Sequence, residues 1–132
     1  MSWWNDYVGI PYRDAGRAQT GCDCAGLVVL VYKERLGIDL ADEFGFYDPQ
    51  DSKQSADLLQ QVSRGWQKVE EPQDFDVVKL LVMNDPCHVG IVCNGGKSVL
   101  NTRLHVNAVI EPLHTGKWAT RIDSFWRQKQ SA

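Results

Sequence analysis

The chain has 132 residues, enough for one domain that buries roughly two-thirds of the surface its unfolded chain exposes. Hydrophobic residues make up 43% and charged residues 23%, the balance of an ordinary globular protein rather than a disordered or fibrous one. The net charge is −3 and no apolar run approaches bilayer length, so neither nucleic-acid binding nor membrane insertion is expected.

In chain order, Trp3, Trp4, Tyr7, Val8 and Ile10 read as a short amphipathic helix that Pro11 ends. Apolar residues at 27, 28, 30, 31 and 36 then predict a buried helix from Asp23 to Leu36, with Asp23 as N-cap and Gly37 just past the end. Residues 38–51, with Phe44, Phe46, Tyr47 and Pro49, read as an irregular connection. A second helix is expected over Ser55–Arg64, capped by Ser52 or Ser55 and stopped at Gly65, with Trp66 and Val69 opening a short extended piece. After Pro72 the pattern turns to strands. These are Asp76–Met83, His88–Cys93, Lys97–Asn101, Val106–Ile110 and Ala119–Trp126, the last with Ile122 and Phe125 facing the core. Asn84-Asp85-Pro86 and Asn94-Gly95-Gly96 read as turns. Helices first and antiparallel strands second predict one α+β domain over 1–132, the N-terminal helices packed on a C-terminal antiparallel sheet.

Two places carry chemistry. Gly21-Cys22-Asp23-Cys24-Ala25-Gly26 puts Cys24 at a helix start, where the dipole favours thiolate and the first amides are open to an oxyanion. His88-Val89-Gly90-Ile91-Val92 puts an imidazole at the start of a strand. With Val89 and Ile91 inward, His88 and Gly90 share the other face. A thiol and an imidazole form the pair that nucleophilic acyl transfer requires, and a third group should set the imidazole tautomer. Asn101 can do so, because the Asn94-Gly95-Gly96 hairpin returns its strand beside that of His88; His105 and His114, in expected loops, are rivals. Tyr12 can present its hydroxyl near the thiol, and Asp23 is a cap or a substrate-amine contact. Each also has an ordinary structural explanation: a buried cysteine, an edge-strand histidine, a turn asparagine, a packed tyrosine.

Metal is the main alternative from the residues themselves. Cys22, Cys24, Cys87 and His88 form a CxC…CH set with Cys93 in reserve. The CxC spacing is tighter than a zinc knuckle needs, and neighbouring strand residues diverge, so no metal is expected. A Cys22–Cys87 disulfide is open to the chain in an oxidising space. Met1–Asp6 shows neither a basic nor an apolar leader region, so synthesis in a cytosol without a signal peptide is expected.

Taken in order, Gly9-Ile10-Pro11-Tyr12, Asp23-Cys24-Ala25-Gly26-Leu27-Val28, Asp76-Val77-Val78 and His88-Val89-Gly90-Ile91-Val92 resemble the NlpC/P60 superfamily of papain-like cysteine peptidases. Trp3-Trp4, the stretch Tyr32 through Leu40, and the ending Val109-Ile110-Glu111-Pro112-Leu113…Trp118…Arg121-Ile122-Asp123-Ser124-Phe125-Trp126-Arg127 resemble its bacteriophage and prophage tail branch. The resemblance implies a papain-like fold and a cysteine endopeptidase acting on peptidoglycan stem peptides. It implies Cys24 as nucleophile, His88 as base, Asn101 where the family carries a second histidine, and Tyr12 near the thiol. It implies no metal or cofactor, a stem peptide and other tail proteins as partners, and a virion tail or prophage-derived particle as the location. Ala25, Phe75 and Asn101 depart from the residues common in the family. The alternative function is a tail-tip assembly protein whose site is vestigial.

Overall fold

The computed structural model describes residues 2–45 and 48–129; the expected contributions of Phe46 and Tyr47 lie outside the described residues. Trp3–Tyr7 forms a single 3-10 turn rather than an α-helix. Five residues give only one turn, and the chain leaves it extended at Val8 before the left-handed Gly9 (φ 92°). Trp3 instead stacks on Phe75, ring centroids 4.3 Å apart. Two short strands follow, β1 (Arg17–Ala18) and β2 (Gly21–Cys22), paired antiparallel. They are too short to leave a periodic signal in the sequence.

Helix α1 runs Cys24–Val31 and continues as one π-turn, Tyr32–Leu36, to a left-handed Gly37 (φ 67°). This matches the expected span and cap. Every residue from Ala25 to Val31 is buried, as a helix apolar on most sides requires. The wide turn ends with the Gly37 and Ile38 amides both donating to the Tyr32 carbonyl. The connection after it holds one helical turn, α2 (Ala41–Phe44), which buries Phe44. Helix α3 spans Ser52–Ser63, three residues earlier than expected at its start. Asp51, not Ser52 or Ser55, is the cap: its Oδ1 accepts from the Lys53 and Gln54 amides at 3.0 and 3.1 Å. A carboxylate also meets the positive helix end more favourably than a hydroxyl.

The remaining strands are β3 (Trp66–Val69), β4 (Val77–Val82), β5 (Asp85–Cys93), β6 (Ser98–Arg103), β7 (Val106–Pro112) and β8 (Ile122–Gln128). They form one sheet in the order β3-β8-β4-β5-β6-β7, with every neighbouring pair antiparallel. The β4–β5 hairpin turns at Met83-Asn84 (φ 52° and 68°), not at Asn84-Asp85-Pro86. Such a turn needs positive φ at both central residues, which the Pro86 ring forbids. The Asn94-Gly95-Gly96 turn has the expected positive φ throughout. Strand β8 begins only at Ile122, because Gly116–Trp118 forms a 3-10 turn first. Arg127 on β8 grips Asp76, just before β4, through two 2.8 Å bonds.

Apolar cores cover both faces of this sheet. On one, Leu27, Val28, Val31 and Leu59 from the helices meet Val77, Val89, Ile91 and Leu100. On the other, Val78, Leu80, Val92 and Val99 pack under Leu113 and Trp118, with Ile122 and Phe125 beside them. The α+β arrangement of helices on an antiparallel sheet is as the sequence predicts. The second cover explains why β5 is buried without alternation over His88–Cys93.

Candidate active site

The site starts from the cap of α1. Asp23 is 1% exposed; its Oδ1 accepts from the Gly26 amide at 2.7 Å and its Oδ2 from the Ala15 amide at 2.9 Å. Those bonds tie the first turn of α1 to the loop before β1. The loop comes so close that a Cβ on Gly26 would lie 1.8 Å from the Gly16 carbonyl oxygen. Glycine at 26 is therefore a condition for bringing loop and helix start together. Cys24 is the first residue of the helix and is half-buried.

His88 and Asn101 come from adjacent strands, β5 and β6, on the sheet face opposite Val89. His88 is 5% exposed and Asn101 fully buried; His88 Nε2 and Asn101 Oδ1 are 3.0 Å apart. Trp118 stacks on the imidazole, centroids 5.5 Å apart and planes within 17°. Gly90 sits between the two strands' side chains, where a Cβ would meet Val99 Cγ2 at 2.4 Å and Asn101 Cβ at 3.2 Å.

A cleft of about 240 Å³ is lined by both Cys24 and His88, with Tyr12, Gln50, Arg103 and Leu104 among its other walls. The backbone amides of Val89 and Ala25 favour the charged form of the Cys24 sulfur. The first of these belongs to the residue that follows His88, so the helix start and β5 meet at the sulfur.

The electrostatics differ from the helix-dipole expectation. Burial, with the Asp23 charge added, pushes the Cys24 thiol up to about 12 against those two amides. A helix start contributes only about 1 kcal/mol toward thiolate, less than the desolvation it opposes. Burial also pushes the His88 imidazole down to about 4, although the Asn101 bond pulls upward. At neutral pH the resting pair is a thiol and a neutral imidazole. Behind them, Glu111 shows the reverse outcome. Burial would raise its pKa, but donors on Arg103, Lys117, Asn101 and Trp118 prevail and hold it at about 2.

The structure brings Cys24, His88 and Tyr12 to one cleft and Asn101 behind His88. Tyr12 donates to Asp14 Oδ1 at 2.8 Å and accepts from Gln50 Nε2 at 2.9 Å. Burial, followed by the Asp14 bond, raises its hydroxyl pKa. Asp23 is a cap and does not line the cleft. His105 is exposed in the β6–β7 turn and His114 donates to the Gly96 carbonyl, so neither rival reaches the imidazole. All four cysteines are free thiols. Sequence reasoning missed Gln50, Arg103 and the roles of Glu111 and Trp118. Gln50 lies in an irregular connection with no periodicity to mark it. Glu111 belongs to a motif already singled out, but only the β6–β7 register shows what it touches.

A model of the NlpC/P60 family matches residues 9–127. The chain belongs to the NlpC/P60 family. The fold is shared with solved NlpC/P60 structures. One is described as similar to lipoprotein, NLP/P60 family, from Staphylococcus aureus subsp. aureus Mu50, with 20% identity and TM-score 0.67; the match covers 97% of this chain and 39% of that one. Another is the NlpC/p60 domain of the peptidoglycan hydrolase SagA, with 20% identity, TM-score 0.62 and coverage of 96% and 92%. A third is an NlpC/P60 family protein from Bacillus cereus ATCC 10987, with 22% identity, TM-score 0.65 and coverage of 92% and 36%. The chain thus spans well under half of the Staphylococcus and Bacillus chains and nearly all of the SagA domain. No curated protein matches it. The architecture of this NlpC/P60 chain is the papain-like α+β fold the sequence predicts. No helix among the described residues is long and apolar enough to cross a membrane.

Proposed function

We propose that this NlpC/P60 chain is a cysteine endopeptidase that cleaves peptidoglycan stem peptides. The observation that carries it is the shared cleft of Cys24 and His88, with His88 Nε2 bonded to Asn101 Oδ1. The substrate class is supported by family membership and by the naming of the SagA relative as a peptidoglycan hydrolase.

The Asn101 carbonyl oxygen accepts only, so the proton sits on His88 Nε2 and Nδ1 keeps a lone pair. Nδ1 takes the thiol proton as the Cys24 sulfur attacks the amide carbon. Proton transfer accompanies attack, since thiol and imidazole both rest neutral. The helix-start amide of Cys24 is the oxyanion donor, and Tyr12 bounds the same space. The imidazolium then protonates the leaving amine, giving a thioester. Water, deprotonated by His88, attacks the thioester, releases the carboxylate and restores the thiol. No step calls for a metal.

The test is Cys24→Ala and Cys24→Ser on purified muropeptides. Both variants are expected to fold and to lose cleavage. Turnover equal to that of the parent would refute the mechanism. A vestigial site is the competing reading, favoured by the burial that keeps the thiol protonated; a parent protein that fails to turn over any muropeptide would establish it. We infer a place in a phage or prophage tail, among other tail proteins, from the resemblance of Trp3-Trp4, Tyr32 through Leu40 and Val109 through Arg127 alone.

A further inference from the structure

We propose that Glu111 is a positioning residue for His88: it holds the Asn101 amide in the one orientation that presents Oδ1 to the imidazole, and so sets the tautomer of the base. This inference rests on His88 acting as that base.

An asparagine amide is nearly symmetric in shape, and either end fits against an imidazole. Turned one way, Oδ1 accepts from Nε2–H and Nδ1 is left basic. Turned the other way, Nδ2 donates to a bare Nε2, the proton moves to Nδ1, and no lone pair remains for the thiol proton. The neighbours decide between the two. Asn101 Nδ2 donates to Glu111 Oε1 at 3.0 Å and, at the longer distance of 3.5 Å, to the Val109 carbonyl; a carboxylate and a carbonyl only accept, and the carboxylate is the shorter, charged contact. Arg103 donates from NH1 to Asn101 Oδ1 at 3.2 Å, and a guanidinium only donates. A reversed amide would set oxygen against carboxylate and NH2 against guanidinium around a side chain that is itself fully buried.

The sheet register delivers the carboxylate. Asn101 pairs with Val109 and Val99 with Glu111, so Asn101 and Glu111 are diagonal neighbours on one face. Glu111 is itself anchored on three further sides: Arg103 NH1 at 2.9 Å, Lys117 Nζ at 2.8 Å and Trp118 Nε1 at 3.2 Å. The tryptophan that donates to Glu111 also stacks on His88, so one connected cluster fixes both the plane and the tautomer of the imidazole.

The experiment compares the parent chain with Glu111→Gln and Glu111→Ala by muropeptide turnover and by the ¹⁵N NMR tautomer signature of His88. The parent is expected to show Nε2–H. In Glu111→Gln, kcat is expected to fall by about 10- to 100-fold with KM within about twofold, alongside a mixed tautomer signal; a wholly wrong tautomer is worth about 10⁴-fold. A merely structural role would lower thermal stability and leave the tautomer alone. An unchanged tautomer and kcat in a folded Glu111→Gln protein overturns the proposal while Cys24 and His88 keep their roles. Should neither variant fold, an Nδ1–H tautomer in the parent overturns it and Nε2–H supports it. An inactive parent whose tautomer still shifts in Glu111→Gln supports the positioning role and removes the peptidase reading instead.

Discussion

Lowering the pH from 7.5 to 4.5 is expected to cost the folded protein about 2.5 kcal/mol through His88 alone. Its imidazole is 5% exposed, and burial holds it at about 4 in the fold against 6.5 in its absence. Between those values the unfolded chain binds a proton that the native state refuses, so stability falls as pH falls through this window. The full gap is worth about 3 kcal/mol, and most of it is spent by pH 4.5. Glu111 acts in the same direction but lower: held at about 2 rather than 4.5, it withdraws stability only as the pH drops below 4.5. Urea unfolding of the parent and of His88→Gln between pH 7.5 and 4.5 isolates the histidine. The two free energies of unfolding should converge by about 2.5 kcal/mol toward acid, because the glutamine has no proton to gain. Parallel curves would refute the argument that the buried imidazole is neutral.

Two further predictions follow from the same geometry. Gly90→Ala places a methyl 2.4 Å from Val99 Cγ2 and 3.2 Å from Asn101 Cβ. It should destabilise by about 1–3 kcal/mol, lower the melting temperature by roughly 5–10 °C, and depress turnover in protein that remains folded, by displacing Asn101 from His88; unchanged melting and turnover would contradict the close approach. Alkylation of Cys24 should accelerate about tenfold per pH unit from 7 to 9, because a thiol held at about 12 gains thiolate in that proportion; a rate already flat by pH 8, followed by mass spectrometry at Cys24, would mean a preformed ion pair.

Local signals carried much of this protein. The apolar spacing from Leu27 to Leu36, the Asp23 cap and the Gly37 stop are effects of neighbouring residues, and the helix forms where they place it. The Asn94-Gly95-Gly96 turn is equally local, and it pairs β5 with β6, so His88 and Asn101 could be brought together from sequence order. The sequence misleads where two local signals compete. Asp51 rather than a serine caps α3, and Pro86, a residue type common in turns, is kept out of this one by its fixed φ.

What only the tertiary structure decided is everything set by burial and by contacts between distant segments. The helix start argued for a thiolate, but the packing that buries Cys24 against β5 outweighs a dipole worth about 1 kcal/mol. Gln50 reaches the mouth of the cleft from a connection without periodicity. Glu111, Arg103, Lys117 and Trp118 converge behind Asn101 only because β7 and the turn after it fold back over the sheet. Sequence spacing records which residues are neighbours along the chain; the energy of a buried charge depends on which groups surround it in space, and folding alone assembles them.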